Sequence, residues 1–456
     1  MSNENRLIYP TVDLFVYDLA DGIGQNEDKI SQNRAHFWQK IYGDKISESQ
    51  LKELKKAEDK IGDDIDLLGA EQVVKFEFPL EGYAYPVKLG DTYSVQFDLS
   101  AKIETDEDNQ VLSKPIDCLE DLKKELISRV KPAATIGQSW LVWGRLTHDN
   151  QDALKTAKNC YSALSLFPKA NWDTDFKIAG QFLGADFYEL SLPPGDRGEI
   201  SQNYHVLICL FPNNRSQSID DINHTVVQLY VHLRRLFAYR NKVILAYTQS
   251  RQLKAKLKEA SRKIKEIFTQ LPQQVTATKF DLEELQQSLV KCLTICSIYA
   301  EYLSDFEEQE NTIKTNVENY KRRLEIISKD IGSDAQGFKF MAKFSDFAQE
   351  KYIWQVEADN KSLSPGLRLL ENAIETIEGI IEIERAKSDR TLNVTIGAVG
   401  VGIATSGVYA SVYAGQIAPP KNPLSANTVF WSSIGWGFLF GALGAIFLII
   451  IGKKWR

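Results

Sequence analysis

Two sets of residues toward the C-terminal end have types and spacings that could do chemistry. Glu371, Glu375, Glu378 and Glu382 recur at three- and four-residue steps, which stacks four carboxylates along one face of a helix. Several copies around one axis would turn that row into rings of negative charge that attract cations; on a single helix it is a solvated face. Further along, Ala398, Gly402, Ser406, Ala410 and Ala414 are small residues at strict four-residue intervals, with Thr395 beside them. Gly437 and Gly441 repeat the device in a second segment. Small residues let helices approach closely in lipid, so both rows read as packing faces, and the weakly polar side of the first could line a narrow axial path.

Conventional catalytic signals are absent. The five histidines are His36, His148, His205, His224 and His232, and none sits in a metal-ligand spacing, so each reads as structural. Cys118, Cys160, Cys209, Cys292 and Cys296 are scattered and read as small buried hydrophobes in a reducing compartment. Gly22-Ile-Gly24 lacks the third glycine of a dinucleotide fingerprint and reads as a turn. Asp18, Asp21 and the acidic 104–108 stretch read as surface loops rather than a cation site. No cofactor is expected, and the chain is not expected to be an enzyme.

The net charge of −7 argues against a nucleic-acid partner, because such proteins usually carry a basic footprint. The first residues lack the apolar core of a signal peptide. Charge is distributed unevenly: from Thr391 to Gly452 the only charged residue is Lys421. Residues 392–418 and 428–451 are each long enough to cross a bilayer core of roughly 30 Å. Arg and Lys flank the pair on its outer sides, at 382–390 and 453–456, which places both termini in the cytoplasm. The expectation is therefore a two-pass integral protein of the cell membrane, with the lipid bilayer as its first partner.

The elements that position these residues follow from periodicity. Strand-like runs at 12–17, 72–78, 93–99, 139–146, 187–192 and 205–211 alternate as half-buried strands do. Helical patterns occupy 47–60, 119–130 and 152–164. Ser218-Ile-Asp-Asp221 reads as a helix start, opening a long helix to about 269. A second runs over 281–329 and a third from about 338, with a break expected at Ser364-Pro365. The basic 251–265 stretch reads as a solvated helix face. Leu367, Leu370, Ile374, Ile377 and Ile381 form a short heptad seam beside the carboxylate row. The fold class expected is an α/β or α+β cytoplasmic domain over 1–212, a long-helix stalk over 213–390, and a transmembrane hairpin with a basic tail over 391–456.

This layout, with Lys453-Lys454-Trp455 at its end, resembles the CorA family of divalent-cation transporters. The resemblance covers roughly the last third of the chain. It implies a homo-oligomer, a pore lined by the first span, and a divalent cation as cargo. Where that family carries Gly-Met-Asn, this chain reads Gly415-Gln416-Ile417, so no binding residue is carried over. Two expectations stand side by side: an oligomeric CorA-like channel, transporter or non-transporting relative, and a membrane-tethered sensor or effector whose cytoplasmic domain binds a ligand or protein partner.

Overall fold

The computed structural model describes residues 5–387 apart from 23–24, 61, 63, 70–72, 77–80, 108–110, 131–132, 167–169, 193–203, 214–217, 277–281 and 331–338. Two compact units emerge: Met1–Thr248 with Asn311–Trp354, and Gln249–Glu310 with Gln355–Arg456. The N-terminal sheet domain and the long helices agree with the expected mixed α/β class.

The first unit is built on a ten-stranded sheet. Its strands are β1 (Arg6–Leu19), β2 (Ile65–Asp66), β3 (Val74–Lys75), β4 (Glu81–Leu89), β5 (Thr92–Ser100), β6 (Ser113–Pro115), β7 (Gly137–Arg145), β8 (Phe176–Phe182), β9 (Ala185–Leu192) and β10 (Tyr204–Phe211). The order is β2-β4-β5-β1-β7-β10-β9-β8, with β3 on β4 and β6 on β1. Neighbours run antiparallel except β7 and β10, which are parallel.

Among the described residues the strands are accompanied by the α-helices α1 (Glu27–Tyr42), α2 (Glu48–Glu58), α3 (Cys118–Arg129), α4 (Ala153–Leu164) and the short α5 (Trp172–Asp175). Local chemistry starts them. Asn26 accepts the Lys29 N–H at 2.9 Å, Ser47 and Gln50 form a reciprocal capping box, and Asp152 accepts the Lys155 N–H at 3.0 Å. α1 to α4 bury Phe37, Trp38, Leu54, Leu119, Leu126, Cys160 and Leu164 in one core with Val12, Leu14, Val95, Phe97, Val142 and Ile208 of the strands. That is one face of the sheet.

The alternation in these strands has a meaning the sequence does not disclose. β5 reads Thr-Tyr-Ser-Val-Gln-Phe-Asp-Leu-Ser, apolar and polar by turns, yet all nine residues are buried. Its polar set faces a second covering layer instead of solvent. That layer comprises α6 (Ile219–Thr276) as far as Thr248, α7 (Leu282–Asp330) from Asn311, α8 (Ala342–Phe347) and a π-helical turn, Ala348–Ile353. Phe237 of α6 stands edge-on to Phe15 at 5.3 Å, and Phe340 lies 5.8 Å from Phe187. Tyr247 stacks on Tyr352 at 4.1 Å. The expectation of half-buried strands is corrected: a polar alternate row is buried here because polar helix residues meet it.

The second unit holds the remaining parts of α6 and α7 with α9 (Trp354–Lys387). Leu285, Leu289 and Cys292 of α7 pack against Ile377 and Ile381 of α9, with Ile267 of α6 and Ile374 beside them. The heptad seam therefore meets α6 and α7 of its own chain. No break occurs at Pro365, which lies inside α9. The Ser364 hydroxyl donates to the Asn360 carbonyl and the Tyr299 phenol to the Leu363 carbonyl, both at 2.8 Å, in the turn around the proline. Lys254 pairs with Asp359 at 2.5 Å, and Arg262 with Glu259 at 2.7 Å, so these members of the basic stretch have acidic neighbours.

The membrane reading is corrected. Among the described residues no helix is long and apolar enough to cross a membrane, because α6, α7 and α9 carry charged residues throughout their length. An integral two-pass protein, and with it a transmembrane channel, ion transporter or membrane-tethered sensor, is not supported. The expected spans at 392–418 and 428–451, the hairpin and the Gly415-Gln416-Ile417 site lie outside the described residues.

Candidate functional site, a buried polar face between sheet and helix

The most chemically loaded part of the first unit is the second face of the sheet, where α6 lies. It contains two clusters. At the first, Asp13 on β1 and Asp98 on β5 are direct cross-strand partners, both buried. Tyr230 of α6 donates to this pair, with its phenol 2.9 Å from Asp13 Oδ2 and 3.1 Å from Asp98 Oδ2. Gln96 Nε2 donates to Asp13 Oδ1 at 2.8 Å, and Trp143 Nε1 donates to the Tyr230 oxygen at 3.1 Å. Arg234, one turn beyond Tyr230, donates from Nη2 to Gln96 Oε1 at 3.1 Å and lies over the Tyr85 ring at 4.4 Å.

Burial, then repulsion from Asp98, pushes the Asp13 carboxyl well above the ordinary carboxylate range. Burial also raises Asp98, to about 6, against the lowering effect of its hydrogen bonds with Asp13 and Tyr230. The two carboxyls face each other on paired strands and share the Tyr230 hydroxyl, and their mutual repulsion disfavours ionising both. Among the described residues no ion pair reaches either one. Tyr9 flanks the cluster in a left-handed conformation (φ 54°), at the bulge where β1 shifts register against β7, and its ring lies 5.4 Å from Trp143.

The second cluster lies further along the same helix. His205 of β10 places Nδ1 3.1 Å from Ser139 Oγ and Nε2 3.2 Å from Glu189 Oε1. Asn241 Nδ2 donates to Ser139 Oγ at 3.0 Å, and Arg240 Nε lies 3.8 Å from the same Glu189 oxygen. Burial and the Arg240 charge depress His205 to about 4, so the imidazole is neutral at pH 7. Burial raises the Glu189 carboxyl, but the His205 hydrogen bond and the nearby Arg240 charge bring it net below its ordinary value. With a neutral ring, the hydrogen bonds run one way: Asn241 to Ser139, Ser139 to Nδ1, and Nε2–H to Glu189. Among the described residues, Nε and Nη1 of Arg240 and Nε of Arg234 have no hydrogen-bond partner despite burial.

Serine, histidine and glutamate in a line resemble a nucleophile relay, but His205 and Ser139 have 0% exposure. Ser139 also lies within β7, between β1 and β10. In this conformation both side chains are shut off from solvent, and Asn241 and Arg240 link the cluster to α6.

The residues singled out by sequence are elsewhere. Glu371, Glu375 and Glu382 are exposed on α9 and Glu378 partly so, each carboxylate row member beside the heptad seam. Burial, then the charges of Glu382 and Glu375, raises Glu378. Thr395, Ala398, Gly402, Ser406, Ala410, Ala414, Gly437 and Gly441 lie outside the described residues. Asp18 does not form an exposed loop: it is buried with Lys40, Nζ to Oδ2 at 2.9 Å, and accepts the Thr135 N–H at 2.8 Å. Asp21 pairs with Lys88 at 3.2 Å and Glu104 with Lys114 at 2.6 Å. Among the described residues no group of three or more His, Cys, Asp and Glu is placed to hold a metal ion.

Sequence reasoning passed over Asp13, Gln96, Asp98, Tyr230, Arg234 and Arg240. The available signal was the polar row of β5, followed much later by tyrosine and arginine on the apolar side of a helix.

No protein-family model, curated protein or solved structure matches this chain.

Proposed function

We propose that the chain is a conformational relay, in which the part of α6 lying on the sheet is a regulated element and its release is the functional event. It acts through binding and movement, without a bond-making step at the sheet. The observation that carries this reading is the contrast between the two sheet faces. One is apolar and closed by α1 to α4. The other sets Asp13, Gln96, Asp98, Ser139, Glu189 and His205 among buried Phe15, Leu141, Trp143, Phe187 and Leu207, and is closed by Tyr230, Arg234, Phe237, Arg240 and Asn241.

An intramolecular hydrogen bond contributes about 1 kcal/mol net, whereas a fully buried large apolar side chain contributes about 1.5–3 kcal/mol. Buried charge costs more still unless it is well paired. Each polar contact on the second face therefore gives up adhesion relative to an apolar one of equal size, while its directional bonds fix one register of α6. Such an element is well placed to open before the rest of the domain.

Two cysteines make this testable. Cys209, paired across strands with Phe187, lies on the second face with His205, whereas Cys160 is in the apolar core of the first. Both are fully buried. Pulsed maleimide labelling of the full chain, read by peptide mass, should modify Cys209 faster than Cys160 under native conditions. Equal rates would mean that the face opens only by global unfolding, and the relay reading would be wrong.

A further inference from the structure

We infer that Arg235 of α6 and Arg323 of α7 form a binding site for a phosphate group where the two helices run side by side. The inference does not rest on the relay reading, and both helix segments belong to the first unit. They run antiparallel there. His232 of α6 lies 3.9 Å from Asp330 of α7, while Arg240, about two turns on, is within electrostatic reach of Tyr320. That register sets Arg323 alongside the stretch from Arg235 to Tyr239.

Arg235 already holds an anion. Its Nε lies 3.0 and 2.9 Å from the two carboxylate oxygens of Asp64, and its Nη2 lies 2.5 Å from one of them. The Asp64 side chain is 37% exposed and stands just before the two-residue strand β2. An exposed ion pair contributes about 0.2–1 kcal/mol, so a free anion can take the place of this carboxylate.

Arg323 carries the argument. It is 8% exposed, yet its guanidinium makes no hydrogen bond or ion pair with another of the described residues. Nδ1 of His232 is likewise buried without a hydrogen-bond partner among them. Buried donors are nearly always satisfied by protein, water or a bound group. Burial, then repulsion from Arg235, lowers the Arg323 pKa, and burial, then Arg323, lowers that of His232. Two like charges are thus held close together. The carboxylates near them are Asp64, gripped by Arg235, and Asp330, which is 58% exposed beside His232.

The donor set selects the ligand. A guanidinium presents its N–H groups in a planar fork that fits two oxygens at once, and two forks need more acceptors than one carboxylate supplies. A phosphate group offers three strong acceptor oxygens and a charge of about −1.5 to −2 at pH 7, enough to engage both arginines. His232 adds a further donor in the tautomer that carries its proton on Nδ1.

Calorimetric titration of the full chain with inorganic phosphate near pH 7, against acetate at the same ionic strength, tests the site. Saturable binding of one phosphate per chain is expected, with acetate at least about tenfold weaker. Arg323→Gln should weaken phosphate about 10- to 100-fold, through lost hydrogen bonds to a charged group. Arg323→Lys keeps the charge and loses the fork, and should weaken it about tenfold. Asp64→Asn removes the competing carboxylate and should tighten it about 1.5- to 5-fold. No saturable binding to the wild-type chain would overturn the site, and acetate binding as well as phosphate would overturn its assignment to phosphate. Unchanged affinity in Arg323→Lys would overturn it too, since general attraction to positive charge would then suffice. The wild-type titrations decide the matter even if a variant fails to fold.

Discussion

Tyr230 shows how much one side chain can carry in this protein. Its hydroxyl gives its hydrogen toward two carboxyls and accepts from Trp143, so three buried groups depend on it. Tyr230→Phe should weaken the hold on α6 by about 1–3 kcal/mol, read as faster Cys209 labelling, since polar groups would be left without partners. The Lys40–Asp18 pair is a second such dependence. Both side chains are buried, and burial lowers the Lys40 pKa against the attraction of Asp18. Lys40→Met should destabilise the first unit by about 3–5 kcal/mol, because Asp18 would remain as an uncompensated buried charge. Chemical denaturation followed by tryptophan fluorescence would measure it, and an unchanged midpoint would show that the pair contributes little.

Among the elements, α9 offers two glycines whose replacement by alanine should have opposite effects. A Cβ on Gly366 would fall 2.3 Å from the Tyr299 phenol oxygen and 2.8 Å from its Cζ, within the turn that Pro365 already disturbs. Gly366→Ala should cost about 1–3 kcal/mol through overpacking and loss of the Tyr299 bond to Leu363. A Cβ on Gly379 meets nothing within 4 Å, so Gly379→Ala should stabilise α9 by about 0.5–1 kcal/mol through reduced chain entropy. Hydrogen exchange of α9 peptides would show slower exchange in the second variant and faster in the first. Around the proline, hydroxyl and phenol donors from Ser364 and Tyr299 reach the carbonyls of Asn360 and Leu363. Only the first of those donors is local in sequence.

At the scale of the whole molecule, the two units have different chemistry inside them. The first is a sheet with one apolar face and one of mixed polarity; the second is a helical packing of leucine, isoleucine and cysteine. Ile377 has 0% exposure in that packing, so Ile377→Ala should cost about 2–5 kcal/mol through the cavity it leaves. Cys292, in the same cluster, should then label faster while Cys160 in the sheet core does not. A matching acceleration at Cys160 would show that the substitution unfolds the chain as one body.

The sequence by itself determined most of the local structure. Hydrophobic period and capping residues suffice for β1, β5, β7, β9, β10, the Ser218 start of α6 and the heptad seam, because those signals act over a few residues. β4 and β8 escaped it, as did α1, whose core contribution is two adjacent aromatics rather than a long apolar stripe. The tertiary structure decided the rest. Whether the polar row of β5 met water or another layer depended on helix residues more than a hundred positions away. Asp13, Asp98 and Tyr230 became one site only when strand pairing and helix docking brought them together. Burial of that row is also a global outcome, since removing water from ionisable groups takes both surfaces at once, and no window along the chain contains both.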